Sequence, residues 1–270
     1  MVIPGWLTKR PRPRVHGVSF NVGADAYGRF MGRYSEPLAA KLVALAGVLE
    51  GQRALDVGCG TGALTAELVQ RLGAGAVSAI DPSESFVEAV RSRFPAVDVH
   101  QAAAERLPFP DDIFDSTLAQ LVVHFMKDPL AGVREMARVT RRGGLVAACV
   151  WDHAGGTGPL AVFWRAVLEL DPHAHDESGL AGAREGHLAE LFAEAGLQDI
   201  ESTVLTVRSR FASFNEWWEP FTLGVGPAGA YVAQLDATRR DELRAHCAEL
   251  LLRGTPIEIA ASALTALGRP

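Results

Sequence analysis

Short, nearly continuous apolar runs alternate along this chain with stretches whose apolar residues fall three and four apart. Over residues 27–49 the spacing is helical, with Leu38, Leu42, Leu45 and Leu49 on one stripe. An alternation then begins. RALDV (53–57) predicts a first strand, followed by a glycine-rich turn and a helix through about Leu72. AVSAI (76–80) predicts a second strand, residues 83–94 its helix, and VDVHQ (97–101) a third strand. FDSTLAQL (114–121) is the fourth, residues 129–139 a helix, and LVAACVW (145–151) a fifth strand apolar on both faces. No element is assigned between residues 152 and 183. Residues 184–195 predict a helix, 199–211 a strand and 256–267 another.

Strands alternating with helices predict an α/β fold, a Rossmann-like three-layer α/β/α sandwich. Its expected sheet is seven-stranded and mostly parallel, with an antiparallel last strand. The aromatic and then helical block at about 212–254 reads as a helical cap insertion between the sixth and seventh strands. Residues 1–24, basic and proline-rich, read as a flexible arm, and 25–270 as one domain carrying the cap.

Composition narrows the function classes. The chain has 270 residues, is 48% hydrophobic and carries a net charge of −6, ordinary for one globular unit. An acidic balance opposes extended binding along a nucleic-acid backbone. No apolar run spans a bilayer and no apolar segment follows the basic N-terminus as in a secretory signal, so the expected location is cytoplasmic, with no membrane partner. Cys59, Cys149 and Cys247 lack metal-ligand spacing and read as buried free thiols. His173-Ala-His175-Asp176 reads as a solvated loop, and no metal is expected.

The chemistry concentrates in ALDVGCGTGALT (54–65), where a strand runs into Gly58-Cys59-Gly60-Thr61-Gly62 and a helix begins. Glycine permits the sharp turn and close ligand approach, and the helix presents unpaired N–H groups. The spacing is G-x-G-x-G, not the G-x-G-x-x-G of pyrophosphate binders. Asp56, two positions before the first glycine, would repel a pyrophosphate and suit an ammonium group, which tilts the reading away from NAD. Asp81 follows the second strand, 23 positions past Gly58, where an acidic residue can accept hydrogen bonds from ribose hydroxyls. The plainer reading of Asp81 is a turn residue before Pro82.

LDVGCGTGALT resembles the cofactor loop of class I S-adenosylmethionine-dependent methyltransferases. AERLPFPDDIFD (104–115) resembles their adenine-wrapping segment, and DPLAGVREMARVTRRGG (128–144) the helix and turn before their fifth strand. The chain is most similar to the ubiquinone/menaquinone-biosynthesis-like small-molecule group, well over residues 25–155 and in outline beyond. The resemblance implies S-adenosyl-L-methionine as cofactor, with Asp56, Gly58, Cys59, Gly60 and Gly62 at its methionine end. Asp81 would take the ribose hydroxyls, with Pro82 and Ser83 beside the adenine. Ala103 stands where the family often carries an adenine-binding Asp, which leaves backbone groups of Ala103, Ala104 and Glu105 for the purine edge. Gln120 and Leu121 would sit near the reactive centre. Tyr27 and Arg33, in a segment similar to the family's first helix, are candidates to cover the methyl group and pair with the cofactor carboxylate.

The implied activity is methyl transfer by in-line displacement to a small organic acceptor, in a monomer or homodimer. A non-catalytic cofactor-binding or regulatory module on the same fold is the alternative. A base-modifying enzyme would carry an NPPY-like motif after the fourth strand, and none is present. His124, His153 and Asp152, near the ends of the fourth and fifth strands, are the candidate general bases, although a turn residue packed beside the sheet is the preferred reading of His124. The aromatics Phe211, Phe214, Trp217, Trp218 and Phe221 read as a lid over an apolar acceptor pocket or as packing for the cap.

Overall fold

The computed structural model describes residues 24–251 and 257–270, with side chains of the first helix described from Gly28 onward. The flexible-arm expectation for the N-terminus lies outside the described residues but for its last position. Seven strands form one sheet: β1 (Ala54–Val57), β2 (Val77–Asp81), β3 (Asp98–Gln101), β4 (Phe114–Gln120), β5 (Thr140–Trp151), β6 (Gln198–Phe211) and β7 (Ile257–Arg269). Their order is β3-β2-β1-β4-β5-β7-β6. The first five strands pair in parallel, and β7 is wedged antiparallel between β5 and β6. The expected sheet is therefore the observed one.

Helices cover both faces. On one side lie α1 (Ala24–Leu45), α2 (Ala63–Leu72) and α3 (Glu84–Arg93), and on the other α4 (Pro129–Val139) and α6 (His187–Glu194). Strand side chains divide between these layers with the two-residue period of the pleat. In β5, Ala147, Cys149 and Trp151 join the first layer, while Val146, Ala148 and Val150 join the second. Both sets are buried, which is why β5 reads as an unbroken apolar run.

Two departures have local causes. The first helix stops at Leu45, because the chain turns through Gly47 at φ 61°. Leu38 and Leu42 are fully buried, but Leu45 and Leu49 stand in solvent, and Val43 and Val48 take the inner positions. The second is α5 (Ala161–Leu170), a helix that the sequence reading leaves unassigned. Its near-continuous apolar run AVFWRAVL hides the helical period. Phe163, Trp164, Ala166 and Val167 face the core.

The cap between β6 and β7 comprises α7 (Phe214–Trp218), a 3-10 turn (Glu219–Leu223), α8 (Gly226–Ala233) and α9 (Ala237–Leu251). Its aromatics fasten it down. Phe221 stacks on Phe163 of α5 at 4.5 Å between ring centroids and meets Phe30 of α1 edge-on. Pro37, inside α1, has no N–H for the Arg33 carbonyl, and that carbonyl accepts instead from the Ser209 hydroxyl of β6 at 3.0 Å. β7 pairs with β5 only over Ala263–Gly268, so its stretch 257–261 pairs with β6 alone, as a two-stranded ribbon running out to the cap. Among the described residues no helix is long and apolar enough to cross a membrane.

Candidate functional site

The strand order reverses between β1 and β4, each parallel to the other and connected in opposite directions. Such a switch point opens a crevice at the carboxyl ends of the strands. A cavity of about 730 Å³ lies there. Its walls come from the loop after β1 (Gly58, Gly60), the turn after β2 (Asp81, Pro82, Ser83), the segment after β3 (Ala103, Ala104, Glu105) and the end of β4 (Gln120, Leu121).

The glycine loop is bolted to β2, with the N–H groups of Gly58 and Cys59 both donating to the Ile80 carbonyl at 2.8 and 2.9 Å. Gly58 has φ 74°, and a Cβ there would lie 2.5 Å from a Val122 methyl, so the turn demands glycine twice over. Asp81, buried, bridges two backbones: one carboxylate oxygen accepts from Gly60 N–H at 2.9 Å and the other from Ser83 N–H at 2.8 Å. Burial raises its pKa, against those two hydrogen bonds. Asp81 thus belongs to the crevice and also performs the turn role of its plainer reading.

Asp56 lies behind the loop and is fully buried. Its Oδ2 accepts from Thr65 Oγ1 at 2.6 Å, and its Oδ1 has no partner among the described residues. Burial pushes this carboxyl up to about 7, opposed by Thr65 and reinforced by the nearby Asp81 charge. Cys59 and Gly62 likewise support the loop from behind and do not line the cavity. The Cys59 thiol is buried and pushed well above its usual range by burial and by Asp56 and Asp81, so it is inert.

Gln120 closes the far side. Its Nε2 donates to the Ser35 carbonyl of α1 at 2.9 Å, which leaves Oε1 buried with no donor among the described residues. Leu121 follows at φ 61°, rare for a branched side chain and common where a chain is held for function. Two buried acceptors, Asp56 Oδ1 on β1 and Gln120 Oε1 on the neighbouring β4, have no donor among the described residues. Such a site fits a ligand bearing N–H donors and positive charge.

Arg33 is placed elsewhere. Its guanidinium pairs with Glu216 at 2.7 Å, donates to the Arg210 carbonyl and lies over the Phe211 ring, joining α1 to β6 and the cap. The side chain of Tyr27 lies outside those described. Glu105 accepts from the N–H groups of Lys127 and Asp128, tying the crevice wall to the start of α4. Further wall residues were not singled out from the sequence: Phe86, Val122, Met126 and Lys127, with Leu180 and Pro227 from distant segments. Only the fold brings the last two in.

Beside the crevice, under the cap, lies a second cavity of about 30 Å³. His124, in a 3-10 turn (Val123–Phe125), lines both spaces, and His153 lines only the smaller. Of the cap, Val225–Ala228 reach this pocket, whereas Trp217 and Trp218 do not. The aromatic block is therefore the anchor, and the start of α8 is the cover. His173 and His175 point to solvent on an exposed loop, and among the described residues no three His, Cys, Asp or Glu are grouped to hold a metal.

The comparisons with known proteins agree with this geometry. Residues 55–148 match a family model described as a methyltransferase domain. A phosphatidylethanolamine N-methyltransferase from Cereibacter sphaeroides is 31% identical over 162 residues, 58% of this chain and 75% of that protein. A chloroplastic 2-methyl-6-phytyl-1,4-hydroquinone methyltransferase from Oryza sativa is 31% identical over 151 residues, 55% of this chain and 40% of its own length. This chain spans about two fifths of the length of that relative and of its rice paralogue. A solved Haemonchus contortus phosphoethanolamine N-methyltransferase, in complex with S-adenosylhomocysteine, shares the fold at TM-score 0.56 and 17% identity, covering 92% of this chain and 57% of that one.

Proposed function

This chain belongs to the class I S-adenosylmethionine-dependent methyltransferases, and from that premise we propose that it moves the cofactor's methyl group to a small organic acceptor. The observation that carries the reading is the convergence of Gly58, Gly60, Asp81 and Gln120 on one 730 Å³ crevice at the sheet's switch point. The cofactor supplies an electrophilic methyl on a positively charged sulfur. The protein's own contribution is alignment and exclusion of water.

In this reading the loop at Gly58 and Gly60 lets the aminoacyl end lie against backbone. Gln120, in the crevice wall, would flank its ammonium, and Asp56 would supply a negative field from behind. Asp81 keeps lone pairs for the ribose hydroxyls while holding the loop and α3 together. Ala103, Ala104 and Glu105 offer backbone to the purine, and Pro82 and Ser83 flank it. Arg33, committed to Glu216 and β6, serves the frame of the site.

Calorimetry with S-adenosylmethionine and S-adenosylhomocysteine tests the binding half, and transfer of a labelled methyl to an acceptor tests turnover. Binding without turnover across broad metabolite mixtures would favour a cofactor-binding module. Failure to bind either nucleoside would refute the site.

A further inference from the structure

The cap presents small side chains where it meets the body of the protein. α8 opens GPAGA (226–230), and Gly226, Pro227 and Ala228, with Val225 before them, roof the small cavity beside the crevice. A Cβ on Gly226 would meet nothing within 4 Å, so the roof is not packed down there. The walls are braced. Phe30 of α1 meets Phe221 edge-on, Trp151 of β5 meets Tyr34 edge-on, and Leu160 is buried at the head of α5. Rings held by other rings do not fall inward to close a space, and a cavity persists where its lining cannot collapse.

The cavity offers almost nothing polar. His124 and His153 stand in its wall, but His124 Nδ1 and His153 Nε2 are closed off. Burial holds both rings neutral, His124 well below its usual range and His153 down to about 4. Glu177, the one carboxylate in the wall among the described residues, accepts from Trp164 Nε1 at 2.8 Å and also walls a separate surface cavity of about 430 Å³. Apolar cavities stay dry and take apolar guests, because a hydrocarbon group sheds its hydration and gains contact on all sides.

Size and place limit the guest. The cavity gives about 30 Å³ to the centres of water-sized groups, of which each needs about 10–15 Å³. That admits about two or three carbons. Leu121, His124, Phe125 and Pro227 wall both this cavity and the crevice, so a guest here continues into the larger space at the end of β4.

We propose that the cavity is a length-selecting pocket for the acceptor, receiving an uncharged alkyl end of about two or three carbons while the atom to be methylated stays in the crevice beside Leu121. This rests on the methyltransferase reading above and narrows it to acceptors that end in a short alkyl group. Leu160, Val225 and Ala228 set the permitted length, because they wall the cavity and not the crevice. A charged end gives up hydration that the shielded imidazole nitrogens do not replace. A longer chain meets the braced wall.

The test uses the full chain loaded with S-adenosylhomocysteine and titrated in a calorimeter with phenol and its 4-methyl, 4-ethyl, 4-propyl and 4-butyl derivatives, whose ring stands for the acceptor body. Affinity should rise about four-fold per carbon through ethyl or propyl and then stop. Leu160→Ala should carry the rise on to 4-butylphenol, and Val225→Ala, a smaller opening, should move the limit by one carbon. Ala228→Leu should make every member bind like phenol. All three variants should bind S-adenosylhomocysteine within about two-fold of the parent, which also reports that they fold. 4-(Aminomethyl)phenol, matched in size to 4-ethylphenol, should bind more than ten-fold more weakly than it. Affinity independent of chain length in the unmodified protein, a rise without limit, an unmoved limit in a folded opening variant, or tighter binding of the aminomethyl compound would overturn the proposal. Failure of S-adenosylhomocysteine to bind the unmodified protein would remove the methyltransferase reading itself, an outcome separate from any result with the phenols.

Discussion

Asp56→Asn isolates the consequence of burying a carboxylate behind the glycine loop. Asn keeps an acceptor for Thr65 and abolishes the ionisation. The carboxyl's pKa is raised from 3.8 to about 7 in the folded chain, first by burial and then by Asp81, against the Thr65 bond. Between those values the folded chain retains a proton that the unfolded chain has released, so folding stability falls as pH rises and levels off above about 7. Each unit is worth about 1.4 kcal/mol, so from about pH 5 to about pH 8 this one group removes about 2.5 kcal/mol. His153 works in the opposite sense, because its folded pKa is depressed to about 4 and its contribution rises with pH up to its ordinary value of 6.5. The variant-minus-parent difference cancels that background. Urea unfolding of the ligand-free protein across this range should show Asp56→Asn gaining about 2.5 kcal/mol on the parent between pH 5 and pH 8, whatever its offset at pH 5. Calorimetry should show the same variant binding S-adenosylmethionine more weakly, since a negative field behind the ammonium is gone. Parallel pH profiles for variant and parent would show that Asp56 titrates as an ordinary carboxyl and would refute the argument.

Other substitutions separate loop, cofactor site and frame. Gly58→Ala places a Cβ against Val122 at a positive φ, and should destabilise the fold by about 1–3 kcal/mol in urea unfolding and weaken cofactor binding. Gly60→Arg should abolish cofactor binding in calorimetry while leaving the circular dichroism spectrum intact; normal binding would mean the site is misplaced. Arg33→Ala should lower stability by about 1 kcal/mol in urea unfolding. Its affinity for S-adenosylmethionine should stay within about two-fold, whereas a role in gripping the cofactor carboxylate would cost more than ten-fold.

The sheet was legible because each strand of the alternating half is a short apolar run closed by a turn residue, and because Gly58, Gly60 and Asp81 carry their backbone demands openly. Residues acting through local geometry were readable in the same way, as with Asp81 and its hydrogen bonds to Gly60 and Ser83. What the sequence hid depends on tertiary approach. Leu180 and Pro227 reach the crevice from over fifty residues beyond β4, and no local pattern records it. Arg33 sits on a helix whose polar face matches solvent, ligand or a neighbouring strand equally well, and only the position of Glu216 decides among them. The helix α5 escaped because burial on most sides erases the polar half of its period.

The ribbon of β6 and β7 beyond the edge of β5 has a consequence for how such a chain can change. The cap hangs from an arm whose strands are stitched mainly to each other, with Arg208 and Arg210 clasping Glu258 at 3.0 and 2.9 Å. Sequence replaced between the two ends of that arm alters the pocket's roof at Val225–Ala228 while leaving the crevice floor untouched. Pro227 is the exception, since it lines both spaces, so replacements elsewhere in that roof reshape the small pocket and spare the crevice.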